Sequence, residues 1–153
     1  LDKDVSIDKS TEYLTSEAAA HTGLLPKGTV LVSCIGKIGK LAVAGVPLTT
    51  NQQINSLIPG GQIDTMYLYY CCKSYKAIFK LASSMALVPI LNKTSFSSIS
   101  VPLPPIPEQR RIAAILNEQL TAVDRACHDS ETQLKEINAL PSSLLRKAFN
   151  GEL

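Results

Sequence analysis

Between Pro102 and Pro107 four of six residues are proline, in the order Pro102-Leu103-Pro104-Pro105-Ile106-Pro107. Proline lacks the backbone donor and fixes φ, so neither a helix nor a central strand runs through such a stretch, and a stiff extended connector is favoured. The chain changes character there. Leu1 to Ile106 is rich in Gly, Pro, Ser, Thr and β-branched residues, whereas Pro107 to Leu153 is rich in Glu, Gln, Arg, Ala and Leu. The 153 residues, about one domain in length, therefore divide into a head over 1–106 and a helical arm over 107–153.

In the head, Thr29 to Ile35 and Leu41 to Val46 are short continuous apolar runs punctuated by glycine, the pattern of buried strands joined by tight turns. Gln53 to Ile58 reads as a third strand, stopped by Pro59-Gly60-Gly61. Ser98 to Leu103 alternates strictly, and Pro102 places that strand at an edge. Asp64 is a candidate N-cap for a helix from Thr65 to about Ala82, with Leu68, Cys72, Tyr75, Phe79 and Ala82 on its apolar face. The expected fold class is α+β, a small mixed domain followed by a long coiled-coil arm.

In the arm, Ala113, Leu116, Leu120, Val123, Cys127, Ser130, Leu134 and Ile137 recur at steps of three and four, the seam of a coiled coil. A helix from about Glu108 to Leu140 spans roughly 50 Å at 1.5 Å per residue. Pro141 is expected to kink or end it, with a short second helix over about 142–149. Exposing the large aliphatic side chains of the seam forfeits on the order of 1.5 to 3 kcal/mol each, so the seam calls for a partner helix from a second copy or another protein.

The net charge of +2 conceals an uneven distribution. Leu1 to Pro26 carries a net −3, Thr94 to Leu153 a net −1, and Lys27 to Lys93 a net +6, with seven lysines against Asp64 alone. Lys73, Lys76 and Lys80 share a helical face with Tyr69, a basic stripe with an aromatic that suits a phosphate backbone and is also the pattern of an ordinary solvated face. Lys37 and Lys40 flank the glycines of Gly36-Lys37-Ile38-Gly39-Lys40, which lacks the spacing of a nucleotide loop and reads by itself as a tight turn. Within Thr49 to Gln53, Asn51 and Gln52 are suited to adenine contacts in a major groove, while the run by itself reads more often as a strand edge or turn. With Lys93 at the end of the basic stretch, these nine residues are the candidate DNA-binding set.

Catalytic signals are missing. His21 and His128 stand near no set of Cys, Asp or Glu with metal spacing, and the sequence holds no G-x-S-x-G elbow or H-E-x-x-H helix. No metal site and no catalytic residue are expected. Cys34, Cys71, Cys72 and Cys127 form no C-x-x-C pair and read as reduced thiols of a cytoplasmic protein. No apolar run reaches the ~18 residues that span a bilayer, so no membrane partner is expected. The first residue is Leu, which suggests a processed chain or a piece of something longer.

The run Pro104-Pro105-Ile106-Pro107-Glu108-Gln109-Arg110-Arg111-Ile112, a long helix, and the closing Leu144-Leu145-Arg146-Lys147-Ala148-Phe149-Asn150-Gly151-Glu152-Leu153 resemble the conserved spacer of the DNA-specificity subunit of type I restriction-modification systems. Gly28 to Ser33, the Ile38-Gly39-Lys40 step and Asn51-Gln52 are similar to that family's target recognition domain. The resemblance implies two recognition domains that each read half of a bipartite DNA target. Two antiparallel spacer helices would set the distance between them and dock modification subunits. Methylation and cleavage would lie on those modification subunits and on the restriction subunit they recruit, with S-adenosylmethionine, ATP and Mg bound there and no cofactor on this chain.

The assembled complex would be a site-specific deoxyribonuclease and DNA methyltransferase. This chain would supply one N-terminally incomplete recognition domain and its spacer, with the ending at Gly151-Glu152-Leu153 favouring the second half of the subunit. Two isolated copies are expected to pair antiparallel through the seam. The residues alone leave a second reading open, a coiled-coil adaptor whose head binds protein and not DNA. A recognition module normally fused to nuclease and methyltransferase in one chain is a third.

Overall fold

The structure is a computed structural model that describes residues 5–10, 12–84 and 87–151. Glu152 and Leu153 of the closing motif lie outside the described residues. The elements in chain order are β1 (Ser6–Ile7), α1 (Ser16–Thr22), β2 (Val30–Ser33), β3 (Leu41–Ala44), β4 (Ile54–Leu57), α2 (Thr65–Ser74), α3 (Lys76–Leu81), α4 (Lys93–Ser97) and α5 (Ile106–Asn150).

The continuous apolar runs become the two central strands. β2 and β3 are buried at every residue, as expected of strands covered on both faces. The four-stranded sheet has the order β1-β3-β2-β4. β2 pairs antiparallel with β3 (Val30 opposite Val43) and with β4 (Val30 opposite Leu57), while β1 adds to β3 in parallel. Gly45 makes room for β1, since a Cβ there would collide with the Asp8 and Ser6 side chains.

α2 packs against β2 and β3 and buries Tyr67, Leu68, Tyr69, Tyr70 and Cys72. Asp64 caps it as expected, its Oδ1 accepting from the Met66 and Tyr67 N–H groups at 2.9 and 3.1 Å. The single helix expected from Thr65 to Ala82 is two helices. The Ser74 hydroxyl donates to the Cys71 carbonyl at 2.8 Å, competing with the backbone ladder. The chain turns at Tyr75 (φ −90°, ψ 8°) before α3 begins. Phe79 of α3 then stacks on Phe96 of α4, ring centroids 5.4 Å apart.

The edge strand expected over Ser98 to Leu103 is absent: the segment is an irregular connector that pairs with no strand. Its alternation fails because Leu103 is 53% exposed and the prolines remove donors a ladder needs. Tyr67 donates to the Pro102 carbonyl at 3.0 Å and holds the connector instead.

α5 is one helix of 45 residues, about 67 Å long at 1.5 Å per residue. It neither ends at Leu140 nor restarts at Ser142. Pro141 forfeits one ladder bond, and the helix-forming residues on both sides (Ala139, Leu140, Leu144, Leu145, Arg146) carry the helix past it. The compact unit runs to Ala113, so the first turns of α5 belong to the head; the second unit begins at Ala114.

Gln109 explains this attachment. Fully buried at 0% exposure, its Oε1 accepts the Asp64 N–H at 2.8 Å. Its Nε2 donates to the carbonyls of Gln62 and Pro104 at 3.0 and 2.7 Å. One amide thus ties the loop before α2, the proline connector and the start of α5. Arg110 lies 3.9 Å from Asp64, too loosely and too exposed to add much. Glu108 and Arg111 form a two-bond pair at 2.7 and 2.8 Å, and the Arg111 guanidinium holds the Glu108 carboxyl below its usual range.

Gln109→Ala empties a fully buried position and leaves the part-buried Asp64 N–H and the Gln62 and Pro104 carbonyls without their amide partner, each costing up to about 1 to 3 kcal/mol where water cannot replace it. A loss of about 3 kcal/mol or more in urea unfolding of the head is expected, with no measurable change for Glu108→Ala.

Burial, helped by its hydrogen bond with Cys71, pushes the Tyr67 phenol up to about 12, and burial pushes the Cys72 thiol up to about 12. Both groups are neutral in the folded head, so their contribution is complete below the unfolded values of 9.0 for the thiol and 10.0 for the phenol. It is lost as pH rises toward 12. Denaturation midpoints are expected to be flat from about pH 7 to 9 and to fall above it, and Tyr67→Phe should make that fall shallower.

Candidate nucleic-acid interface

The two ends of the sheet differ in structure and charge. At one end β2 begins and α2 starts, with Gly28 packed close to Thr65: a Cβ on that glycine would lie 3.3 Å from the Thr65 hydroxyl. The Gln109 latch is here, and so is Asp64, the only acid between Lys27 and Lys93. α2 follows β2 to the other end, where the turn from β2 to β3 meets the start of α3. A Cβ on Gly39 would lie 3.0 Å from Lys76 Cγ.

That β2–β3 turn is rigidly built. The Ser33 hydroxyl donates to the Lys37 carbonyl at 2.6 Å and accepts the Lys40 N–H at 2.9 Å. Ile38, 4% exposed, plugs the turn into the core, and Gly36 and Gly39 adopt φ of 69° and 81°, which side chains resist. Lys37 projects to solvent and Lys40 is half-buried.

Asn51 to Ile54 forms a β-turn at the same end, closed by the Ile54 N–H on the Asn51 carbonyl at 3.2 Å. Cys34, just past β2, fixes it by donating its N–H to the Gln53 carbonyl at 2.8 Å and its thiol to the Gln52 carbonyl at 3.5 Å. Burial pushes the Cys34 thiol up, keeping it protonated for that role. Asn51 Oδ1 accepts the Gln53 N–H at 3.1 Å. Gln52 and Gln53, at the two corners, are exposed.

A third segment joins them. The Gly36 N–H donates to the Pro89 carbonyl at 3.0 Å and the Leu91 N–H to the Cys34 carbonyl at 2.9 Å. Leu91 is fully buried, and Asn92 caps α4 by accepting the Ser95 N–H at 2.8 Å. Lys93, the first residue of α4, is therefore exposed beside the two turns.

Lys73 and Lys76 line an open pocket of about 340 Å³ with Gly39, Leu41 and Tyr69. Tyr69 is not a surface aromatic. It is 5% exposed and packs edge-on against Tyr70, with the Lys73 ammonium 5.9 Å from its ring centroid, within cation–π range. Its ring therefore positions Lys73 and is not open to stacking on a base. Lys80, one helical turn beyond Lys76, is exposed on α3. Lys37 and Lys40 of the β2–β3 turn, Lys73 and Lys76 beside Gly39, and the one turn that carries Gln52 and Gln53 thus stand at the end of the sheet away from Asp64 and Gln109, with Lys80 and Lys93 exposed on the adjoining α3 and α4.

Of the seam residues, Ala113 is buried in the head unit, and Leu116 and Leu120 are half-buried. Val123, Leu134 and Ile137 are 56, 58 and 60% exposed, with Cys127 and Ser130 exposed between them. Leu140, Leu144 and Leu145 continue the apolar set at 53 to 60% exposure. Among the described residues no three of His, Cys, Asp or Glu gather as a metal would need, and His21 and His128 are exposed. The sequence reading missed Gln109, Ser33 and Gln53. Gln109 had a signal: it falls four residues before Ala113 and continues the seam spacing toward the head.

Residues 7–139 match the family model described as type I restriction modification DNA specificity domain. The chain is 32% identical over 117 residues to the type I restriction enzyme MjaIX specificity subunit of Methanocaldococcus jannaschii, covering 74% of this chain and 27% of that protein. It is 27% identical over 154 residues to the HindI specificity subunit of Haemophilus influenzae, covering 97% of this chain and 33% of that protein. Among solved structures, a chain from work on complex assembly and conformational transition of the type I R-M system matches with a TM-score of 0.69 at 28% identity, over 85% of this chain and 32% of that one. The HsdS subunit from Thermoanaerobacter tengcongensis matches with a TM-score of 0.59, also at 28% identity, over 85% of this chain and 31% of that one.

A small α+β head and a long helix that match this family's domain are what fold and comparisons define together. The chain belongs to the type I restriction-modification DNA specificity family. It spans about a third of the length of the relatives it matches.

Proposed function

We propose that this chain performs sequence-specific recognition of one half of a bipartite double-stranded DNA target within a type I restriction-modification complex. The observation that carries this is that Lys37 and Lys40 on the β2–β3 turn, Lys73 and Lys76 beside Gly39, and the 51–54 turn stand at the end of the head opposite Gln109, with Lys80 and Lys93 exposed on the adjoining α3 and α4. Lysines neutralise phosphates and amides read base edges, and here both occupy one surface. α5 acts as the spacer that sets half-site distance and docks the modification subunits. Methylation and cleavage lie on partner subunits with S-adenosylmethionine, ATP and Mg, and the complex works in the cytoplasm, where the four free thiols stay reduced.

Each phosphate contact contributes about −0.9 to the slope of log K against log salt. Replacing Lys73, Lys76 and Lys80 together by Gln is expected to weaken duplex binding about equally across sequences and to reduce that slope by up to about 3. Unchanged affinity and slope in fluorescence anisotropy between 50 and 200 mM salt would sink the assignment of this face.

The exposed seam supports pairing of two copies, antiparallel, when the chain is isolated, because each large aliphatic residue covered returns on the order of 1.5 to 3 kcal/mol. Sedimentation should show a concentration-dependent dimer that Leu134→Asp with Ile137→Asp converts to monomer. A wild-type monomer at high concentration counts against pairing.

A further inference from the structure

We infer that the turn Asn51–Ile54 is the base-reading finger of the head, with Gln52 and Gln53 contacting two consecutive A·T base pairs in the major groove; this rests on the DNA reading above. The turn is fixed through its backbone. Cys34 holds the Gln53 carbonyl at 2.8 Å and the Gln52 carbonyl at 3.5 Å, and the Ile54 N–H closes onto the Asn51 carbonyl at 3.2 Å. Every one of those bonds leaves the glutamine side chains uncommitted, and both residues are exposed. A side-chain amide carries a donor and an acceptor in the geometry that matches adenine N7 and N6.

Asn51 carries the same group, but its Oδ1 already accepts the Gln53 N–H at 3.1 Å, so its amide shapes the turn. Spacing agrees as well. Adjacent Cα atoms are about 3.8 Å apart and successive bases along one strand rise about 3.4 Å, so neighbouring corners can address neighbouring steps. The flanking cations supply register. Lys37 and Lys40 stand on the turn bonded to Ser33, the neighbour of Cys34, and Lys93 follows the segment whose Leu91 N–H donates to the Cys34 carbonyl. Phosphate contacts there would seat the finger in the groove without reading sequence themselves.

Selection of bound sequences from a random duplex pool with the 153-residue chain, followed by sequencing, tests the assignment. Wild type is expected to select a motif containing two adjacent A·T pairs. Gln52→Ala should relax one of those positions and Gln53→Ala the other, each by about 10-fold or more in preference, with the remaining motif and the salt slope unchanged.

Gln52→Arg should convert its position from A to G. An unchanged motif in both alanine variants overturns the proposal. A uniform loss of affinity with no positional change also overturns it, since that marks a phosphate-contacting turn. Loss of the motif in Asn51→Asp with retention in the glutamine variants overturns it in favour of Asn51. A wild-type chain that binds duplex without any motif removes the DNA-recognition reading itself, a failure distinct from the others.

Discussion

The Gln109 amide is the interaction on which the seating of the first turns of α5 in the head depends. A helix leaving a small domain through a proline connector has no backbone ladder to hold it, because prolines donate nothing. The connector carbonyls and the loop before α2 need partners if they are to be buried at all. One side chain with both donor and acceptor capacity meets those needs at distances of 2.7 to 3.0 Å. An aliphatic residue of similar size would fill the space but leave three polar groups without partners. The sequence Pro104-Pro105-Ile106-Pro107-Glu108-Gln109 is therefore a physical joint: the prolines form the connector and set the start of α5, and the glutamine closes it.

A second consequence is electrical. The joint places Asp64, Glu108 and the paired Arg110 and Arg111 at one end of the head, where acid and base are matched. Six of the seven lysines of the basic stretch lie elsewhere, around the β2–β3 turn, α3 and the start of α4. A net charge of +2 for the chain thus coexists with a one-sided field, and it is the local field that a polyanion meets. Tyr69 shows how the core supports that field. Buried at 5% exposure, it offers the Lys73 ammonium a π face 5.9 Å away, which favours positions of the charge near the ring.

Much of this was legible in the sequence, and what was not has identifiable causes. The central strands, the Asp64 cap and the long helix were visible because each rests on a local signal: apolar runs between glycines, a side-chain acceptor before a helix, and an unbroken three-four spacing. The expected edge strand at Ser98 to Leu103 failed because alternation says nothing about whether a pairing edge exists. The split of α2 from α3 depends on a serine hydroxyl competing for one carbonyl, below the resolution of a periodicity argument. Pro141 misled in the opposite direction: a proline costs one bond, and a helix of 45 residues has many others. The lysines were named from the chain, but their convergence was not. It depends on Cys34, whose N–H, carbonyl and thiol bond to segments far apart in sequence.

That convergence bears on how such a head can change what it contacts without losing its fold. The bonds that position the 51–54 turn involve its backbone, the Cys34 backbone and thiol, and the Asn51 side chain; none uses the side chains of Gln52 or Gln53. The bonds that attach the helix are at the opposite end of the sheet, through Gln109 and Tyr67. Substitutions at the exposed corners therefore leave every buried hydrogen bond in place, and surface changes of that kind typically alter stability by no more than about 0.5 kcal/mol. Substitutions at Ser33, Cys34 or Gly39 act otherwise, because each is part of the frame that aims the surface. The head separates a scaffold, whose residues are constrained by packing and by polar groups that must be satisfied, from a small set of presented side chains constrained only by what they touch.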